Sequence, residues 1–387
     1  MFSKLSQIVP GVLLSFIGYG QSQLLNIPKN VRLPTDSVRR VELINSLDSL
    51  LARAPGPNKD NIFVQAAFLP ETSALLDEIK DMNDPGADKS VTYRSYLTNI
   101  DWLDSSDYII QVSYLGTNDS TPVLRASFKL IACLQGDRYV FRSPLRRNTA
   151  TWHKKNKGKF VFYYTYPVNE TWLNAYQKKA EEFDKKLGAK EYVSEFYCCN
   201  TVQEGLEMLG VDYKSRYNGY TSLGLSSFED DISLNILGIS NTDRTIFDLH
   251  DLWHDRLHHV IPLGTINRPI DEGCAYLYAG SWGLSWEEIF KQFKAYMGDN
   301  MDWLTAFTEN KNFAPTQQYH LYVSYVINAL LAQKMEKEKG FPAVMEFLSC
   351  GKYEAGNDNY FRALEKITGI NRSNFNANVE KLVEDEQ

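Results

Sequence analysis

The chain changes its hydrophobic period partway along, and that change limits it to architectures in which sheet and helix are segregated. From Asn61 onward the runs IFVQAAFL, YIIQVSYL, VLRASFKLIACL, YVFRSPL and FVFYYTY are rich in β-branched and aromatic residues, with turn material such as GTNDSTP and QGD between them. Such runs predict an antiparallel sheet of about five strands, with a helix over ETSALLDEIKDM. After Thr245 the pattern becomes helical, over 245–261, 271–280, 285–297, 299–309, 317–338, 341–349 and 358–367. Between the two lie a charged helix ending at Gly188, the strands YVSEFYCC and SLNILGIS, and a short helix, VQEGLEMLG, closed by Gly210. The expected class is α+β: a β-rich domain over 61–165, then a mainly helical domain with a small edge sheet over 166–387.

The remaining amino-terminal segment divides in two. Residues 21–60 read as linker around one amphipathic helix, VRRVELINSLDSLLARA. Residues 1–20 read as a secretory signal, with Lys4 ahead of IVPGVLLSFI and small residues after it. That predicts a secreted or periplasmic protein. No segment approaches the ~18 uninterrupted apolar residues of a membrane helix, so the mature chain is expected to have no membrane span.

Composition removes several functions. A net charge of −7 argues against nucleic acid, which needs a basic field. The chain has no GxxxxGK[ST] loop, no GxGxxG after a strand and no GxSxG elbow, which leaves nucleotide binding and serine hydrolysis without support. Its five cysteines show no CxxC spacing, and the adjacent Cys198 and Cys199 would point to opposite faces of a strand. They read as buried small hydrophobes.

What remains is a cluster: four of the six histidines, His250, His254, His258 and His259, fall within ten residues. On a helix His250, His254 and His258 follow at i, i+4 and i+8, each about 40° round from the last, so they share one face. Two imidazoles one turn apart suit a single Zn²⁺, and a carboxylate beside the first suits a general base. The pattern His-Asp-x-x-His occurs twice, at 250–254 and at 254–258. A third ligand has to come from elsewhere, and Glu272 in IDEGCAYLY is the candidate, on a second helix whose Gly273 and Ala275 would permit close approach to the first. The competing reading is a solvated helix face with Asp–His surface pairs.

An HxxxH helix, a proline-containing connection and then EGxAxY resembles the gluzincin metallopeptidases, the thermolysin and M1 aminopeptidase group, over roughly residues 190–380. The resemblance implies a zinc site in which a glutamate on the following helix completes the ligand set. It favours His250, His254 and Glu272, because Glu272 lies 18 positions after His254 and only 14 after His258. His258 and His259 are then bystanders, though the 254/258 register stays open. SLNILGIS would be the sheet-edge strand before the helix, and YVINALLAQKMEKEKGFPAVMEFL is similar to the closing helix pair. His320, in TQQYHLYVSY, sits where the group places a Tyr or His that stabilises the oxyanion; an ordinary core or surface histidine is the alternative. Trp253, Trp282 and Trp286 read as core, with cleft lining the alternative for Trp282.

The departure is Asp251, where the group has its glutamate base. Asp is one methylene shorter, and a misplaced general base forfeits around 10²–10⁴ in rate. Three readings follow. The first is a secreted, zinc-dependent hydrolase of peptide or protein substrates, weakened by Asp251. The second is an inactive relative whose cleft binds a peptide or glycan. The third is a structural protein without metal.

Overall fold

A computed structural model describes residues 24–80, 82, 91–104, 107–167, 169–190, 192–239, 247–298, 301–315 and 319–386. The expected signal segment lies outside them. The protein is mixed α/β, with two sheets and its helices concentrated in the carboxyl-terminal half.

The first sheet contains β1 (Leu25–Asn26), β2 (Arg94–Trp102), β3 (Tyr108–Asn118), β4 (Thr121–Gln135) and β5 (Arg138–Arg142) in that order, with β9 (Val211–Lys214) also paired to β4. β2 to β5 are antiparallel, and only β1 runs parallel to its neighbour. Helices α1 (Ser37–Arg53) and α2 (Leu69–Lys80) cover its inner face, with α2 reaching on to the second sheet.

The second sheet has the order β10-β11-β8-β7-β6, from β6 (His153–Lys157), β7 (Phe160–Tyr164), β8 (Val193–Cys199), β10 (Ser222–Glu229) and β11 (Ile232–Ile239). β7, β8 and β11 are parallel, and antiparallel β6 and β10 close the two edges. α4 (Glu170–Leu187) connects β7 to β8, while short α3 (Leu145–Asn148) and α5 (Val202–Leu209) link this sheet to β5 and β9 of the first.

This sheet is the wall between two cores, and strand alternation explains how. In β8, Phe196 and Cys198 face the helical core, while Tyr197 and Cys199 face the amino-terminal core. The adjacent cysteines do point opposite ways, all five cysteines are unpaired, and burial pushes the Cys198 thiol up to about 12.

Four expectations need correction. IFVQAAFL is not a strand: it makes one bridge, Val64 to Phe141, then a short 3-10 turn into α2. Pro70 explains this, since its fixed φ suits a first helical turn and it donates nothing to a ladder. FVFYYTY forms β7 but pairs with β8, not with the first sheet. SLNILGIS forms β11, which is internal; the edge beside it is β10, a polar strand absent from the expectation. HKKNKGK, which by composition reads as a hairpin turn between strands, is mostly a strand, β6, with its turn at Gly158.

The helical half consists of α6 (Leu249–His258), α7 (Arg268–Ala279), α8 (Trp286–Tyr296), α9 (Trp303–Thr308), α10 (Val323–Lys339), α11 (Phe341–Leu348), α12 (Asp358–Thr368) and α13 (Phe375–Asp385). The pattern foretold all but α13. Among the described residues no helix is long and apolar enough to cross a membrane. Trp253 of α6 is fully buried, edge-on to Phe183 of α4 and against Tyr278 of α7. Truncating such a side chain costs about 3–5 kcal/mol.

Candidate metal centre

Two helix starts place the site. α6 begins at Asp248, whose carboxylate accepts from the His250 backbone N–H at 2.9 Å. α7 has no side-chain cap. Instead the Asn267 backbone N–H donates to Leu348 O at 2.9 Å and its side-chain amide to Gly351 O at 3.0 Å, which ties the α7 start to the end of α11. Pro269 occupies the first turn, where its missing N–H costs nothing. Gly273 permits a close approach, but to α10 and not to α6 as expected. A Cβ there would lie 2.5 Å from Asn328 Cβ and 2.9 Å from Ala329 N.

On this frame His250, His254 and Glu272 converge. His250 Nε2 lies 3.2 Å from His254 Nε2 and 3.2 Å from Glu272 Oε2, and His254 Nε2 lies 3.7 Å from the same oxygen. In a tetrahedral zinc site with bonds of 2.0–2.1 Å, neighbouring ligand atoms stand about 3.3 Å apart. The centre of the observed triangle is about 2.0 Å from each corner, so the three atoms already have the spacing of zinc ligands.

The far side of each ring decides what faces that centre. His250 Nδ1 lies 2.9 Å from the Gly280 carbonyl, and His254 Nδ1 lies 2.8 Å from Asp271 Oδ1. Both partners only accept, so each Nδ1 carries the hydrogen and each neutral ring turns its Nε2 lone pair inward. Glu272 Oε1 is taken by Arg268, whose Nε donates at 2.6 Å, which leaves Oε2 to the imidazoles. Three acceptors then meet without a donor, an arrangement that requires a cation or a proton among them. The residues fit Zn²⁺.

Electrostatics agree. Burial favours a neutral His254, yet Asp271 and Glu272 outweigh it and push the ring up to about 10. Burial opposes charge on Asp271 too, but His254 and His258 hold it down at about 2. Glu272 is held far below the carboxylate range against its burial by His250, His254 and Arg268. Without an ion this balance places a proton on His254, and a cation held between the three ligand atoms would take that proton's place.

The triangle opens on a cleft of about 340 Å³ whose lining includes Asp251, His320, Ser222 of β10, Tyr322 and Trp282. Asp251 is exposed at the α6 edge, yet its carboxylate tucks under β10, where a Cβ on Gly224 would come 3.5 Å from Oδ2. That crowding, with the charge of Asp248, raises its pKa. His320 is exposed on the segment before α10, with Nδ1 2.9 Å from the Asn312 side-chain nitrogen. The Asn312 carbonyl oxygen accepts from the Ala314 and Leu321 backbone N–H groups, so its amide nitrogen is the donor to His320. Neutral His320 therefore keeps its proton on Nε2.

The second copy of the pattern turns inward. His258 Nε2 stands 3.9 Å from Asp271 Oδ2, and no triad forms from His254, His258 and Glu272 among the described residues. His259 Nε2 lies 3.5 Å from Asp255 Oδ1 and its ring stacks on Phe228. Fully buried Arg256 donates to Ser194 Oγ at 2.9 Å and to the Tyr192 hydroxyl, with Asp255 Oδ2 3.6 Å from its Nε.

Sequence reasoning missed Asp271, Arg268, the Gly280 carbonyl and Asn312. Asp271 adjoins Glu272, but an acidic neighbour is too common to read. The Gly280 carbonyl leaves no trace in side-chain chemistry at all. No protein-family model matches the chain, and neither does a curated protein or a solved structure, so the geometry of the site carries its functional reading.

Proposed function

We propose that the chain is an exported, zinc-dependent peptide hydrolase of the gluzincin type, with His250, His254 and Glu272 as ligands. One observation carries the reading: two Nε2 lone pairs and one carboxylate oxygen, 3.2–3.7 Å apart, share a centre while both Nδ1 atoms are committed elsewhere. The antiparallel edge strand β10 beside the cleft supports it as well. Zinc in a three-ligand setting supplies Lewis acidity, lowering the pKa of water and polarising a carbonyl.

The chain's own residues do the rest. Asp251, whose carboxylate lines the cleft beside the ligands, takes the proton of the attacking water and passes it to the leaving amine. His320 donates its Nε2 proton toward the carbonyl oxygen as charge develops there. Asp271 holds His254 in the tautomer that presents Nε2.

Hydrolysis of blocked peptides by the zinc-loaded chain is the test. Turnover is expected to vanish in Glu272→Gln and to fall by around 10²–10⁴ in Asp251→Asn at unchanged zinc content. Asp251→Glu should raise kcat. A second reading, a zinc-holding binding protein, is favoured by the short reach of Asp251. Zinc-loaded wild type and Asp251→Glu that both cut nothing would establish it over the hydrolase.

A further inference from the structure

A second cavity, of about 310 Å³, shares Tyr325 with the metal cleft, and three helix starts line it. Arg268 and Pro269 open α7, Ser324 and Tyr325 lie in the first turn of α10, and Asn357 is the residue before α12. None of the three starts has a side-chain cap. Helix amino-termini carry partial positive charge, so the three together favour an anion. The carboxyl end of α9 opposes them through Phe307 and Thr308, but that helix has only six residues.

Asn357 gives this cavity a polar group with nothing to bind. An Asn at the N-cap position ordinarily accepts from the first-turn N–H groups, and this one does not. Its backbone is left-handed, with φ 57°, and the residue is only 5% exposed. Its side-chain amide has no hydrogen-bond partner among the described residues. Buried amides are satisfied as a rule, so one left open on a cavity points to a ligand.

Arg268 supplies the full charge. Its Nε and Nη2 both face Glu272 Oε1, which uses one edge of the guanidinium, while Nη1 has no partner among the described residues. The second edge suits a carboxylate, which a guanidinium holds by two parallel bonds. Phe307, Pro269 and Tyr325 add apolar wall. We infer that this cavity binds the carboxylate end of an apolar N-acyl amino acid, either free or as the carboxyl terminus of a peptide. Arg268 takes the carboxylate, Asn357 the acyl amide, and Phe307 and Pro269 the apolar side chain. The site needs neither zinc nor hydrolysis.

Calorimetric titration of the full chain with acetyl-phenylalanine and with acetyl-phenylalanine amide tests it. The acid should bind about tenfold tighter, because hydrogen bonds to a charged group are the stronger ones. Asn357→Gly should weaken both about fivefold at a melting temperature equal to or above wild type, since glycine suits a left-handed position. Arg268→Lys keeps a cation beside Glu272 but loses the second edge, and should shrink the margin of acid over amide. His250→Ala, which breaks the metal centre, should leave that margin intact. Equal binding of acid and amide, binding of neither, unchanged affinity in Asn357→Gly or an unchanged margin in Arg268→Lys overturns the site. A margin lost in His250→Ala puts the carboxylate on zinc and overturns it too. Acetyl-Ala-Ala-Phe separates the two sources: binding as tight as acetyl-phenylalanine identifies a peptide terminus, and weaker binding a free acid. A chain that binds the acid but holds no zinc keeps this site and loses the metal centre.

Discussion

Along α6 the pattern His-Asp-x-x-His is written twice with His254 shared, and the two copies meet different surroundings. The first turns His250 and His254 toward Glu272 and sets Asp251 at an open cleft. The second turns Asp255 and Arg256, with the adjoining His259, into a buried polar layer against Tyr192, Ser194 and Phe228. Helix phase separates them, since each four-residue step moves about 40° round the axis. The neighbouring helix then assigns the roles. Glu272 faces the first copy, while Asp271, one residue and about 100° away, sits between His254 and His258. A motif of this kind is therefore decided by what packs against it, and its letters alone do not say which copy is chemical.

Mutations can break this division. The largest effect belongs to the shared residue: His254→Ala should abolish zinc retention and hydrolysis together. It also leaves Asp271 buried without its ring partner, at a cost of about 3–5 kcal/mol in urea denaturation. Retention of a full equivalent of zinc would contradict the shared role. Arg256→Met should cost up to a similar ~3–5 kcal/mol, by leaving the buried Asp255 charge to His259 alone, while zinc content stays intact. Adding Asp255→Asn to it should restore part of that loss, because the stranded charge is then gone. Loss of zinc in the folded Arg256→Met protein would show the copies to be one unit. Asp271→Asn is smaller: metal titration should show zinc affinity about 10–100-fold weaker, the usual cost of removing the group that orients a ligand histidine.

Much of this was legible in the sequence, and what was not has physical causes. The i, i+4 spacing placed His250 and His254 on one face, and Glu272 followed from the next helix; the structure brings these three together. Strands β3, β4, β5, β7, β8 and β11 were visible as β-branched and aromatic runs. Their partners were not, because pairing is non-local and composition carries no record of it. FVFYYTY reads the same whether it joins the first sheet or the second. β10 and β9 escaped notice because SLGLSSFE and VDYK are polar and short. Gly273 was read correctly as a site of close approach, but the identity of the approaching helix, α10, depends on tertiary packing.

The most direct test of the account is zinc stoichiometry, by elemental analysis after purification without chelators, in wild type, His250→Ala and His258→Ala. The geometry predicts about one equivalent in wild type and in His258→Ala, and less than about a tenth in His250→Ala, since three converging ligands are the minimum for this type of site. Wild-type protein that takes up no zinc on addition, or a loss in His258→Ala equal to that in His250→Ala, would contradict it.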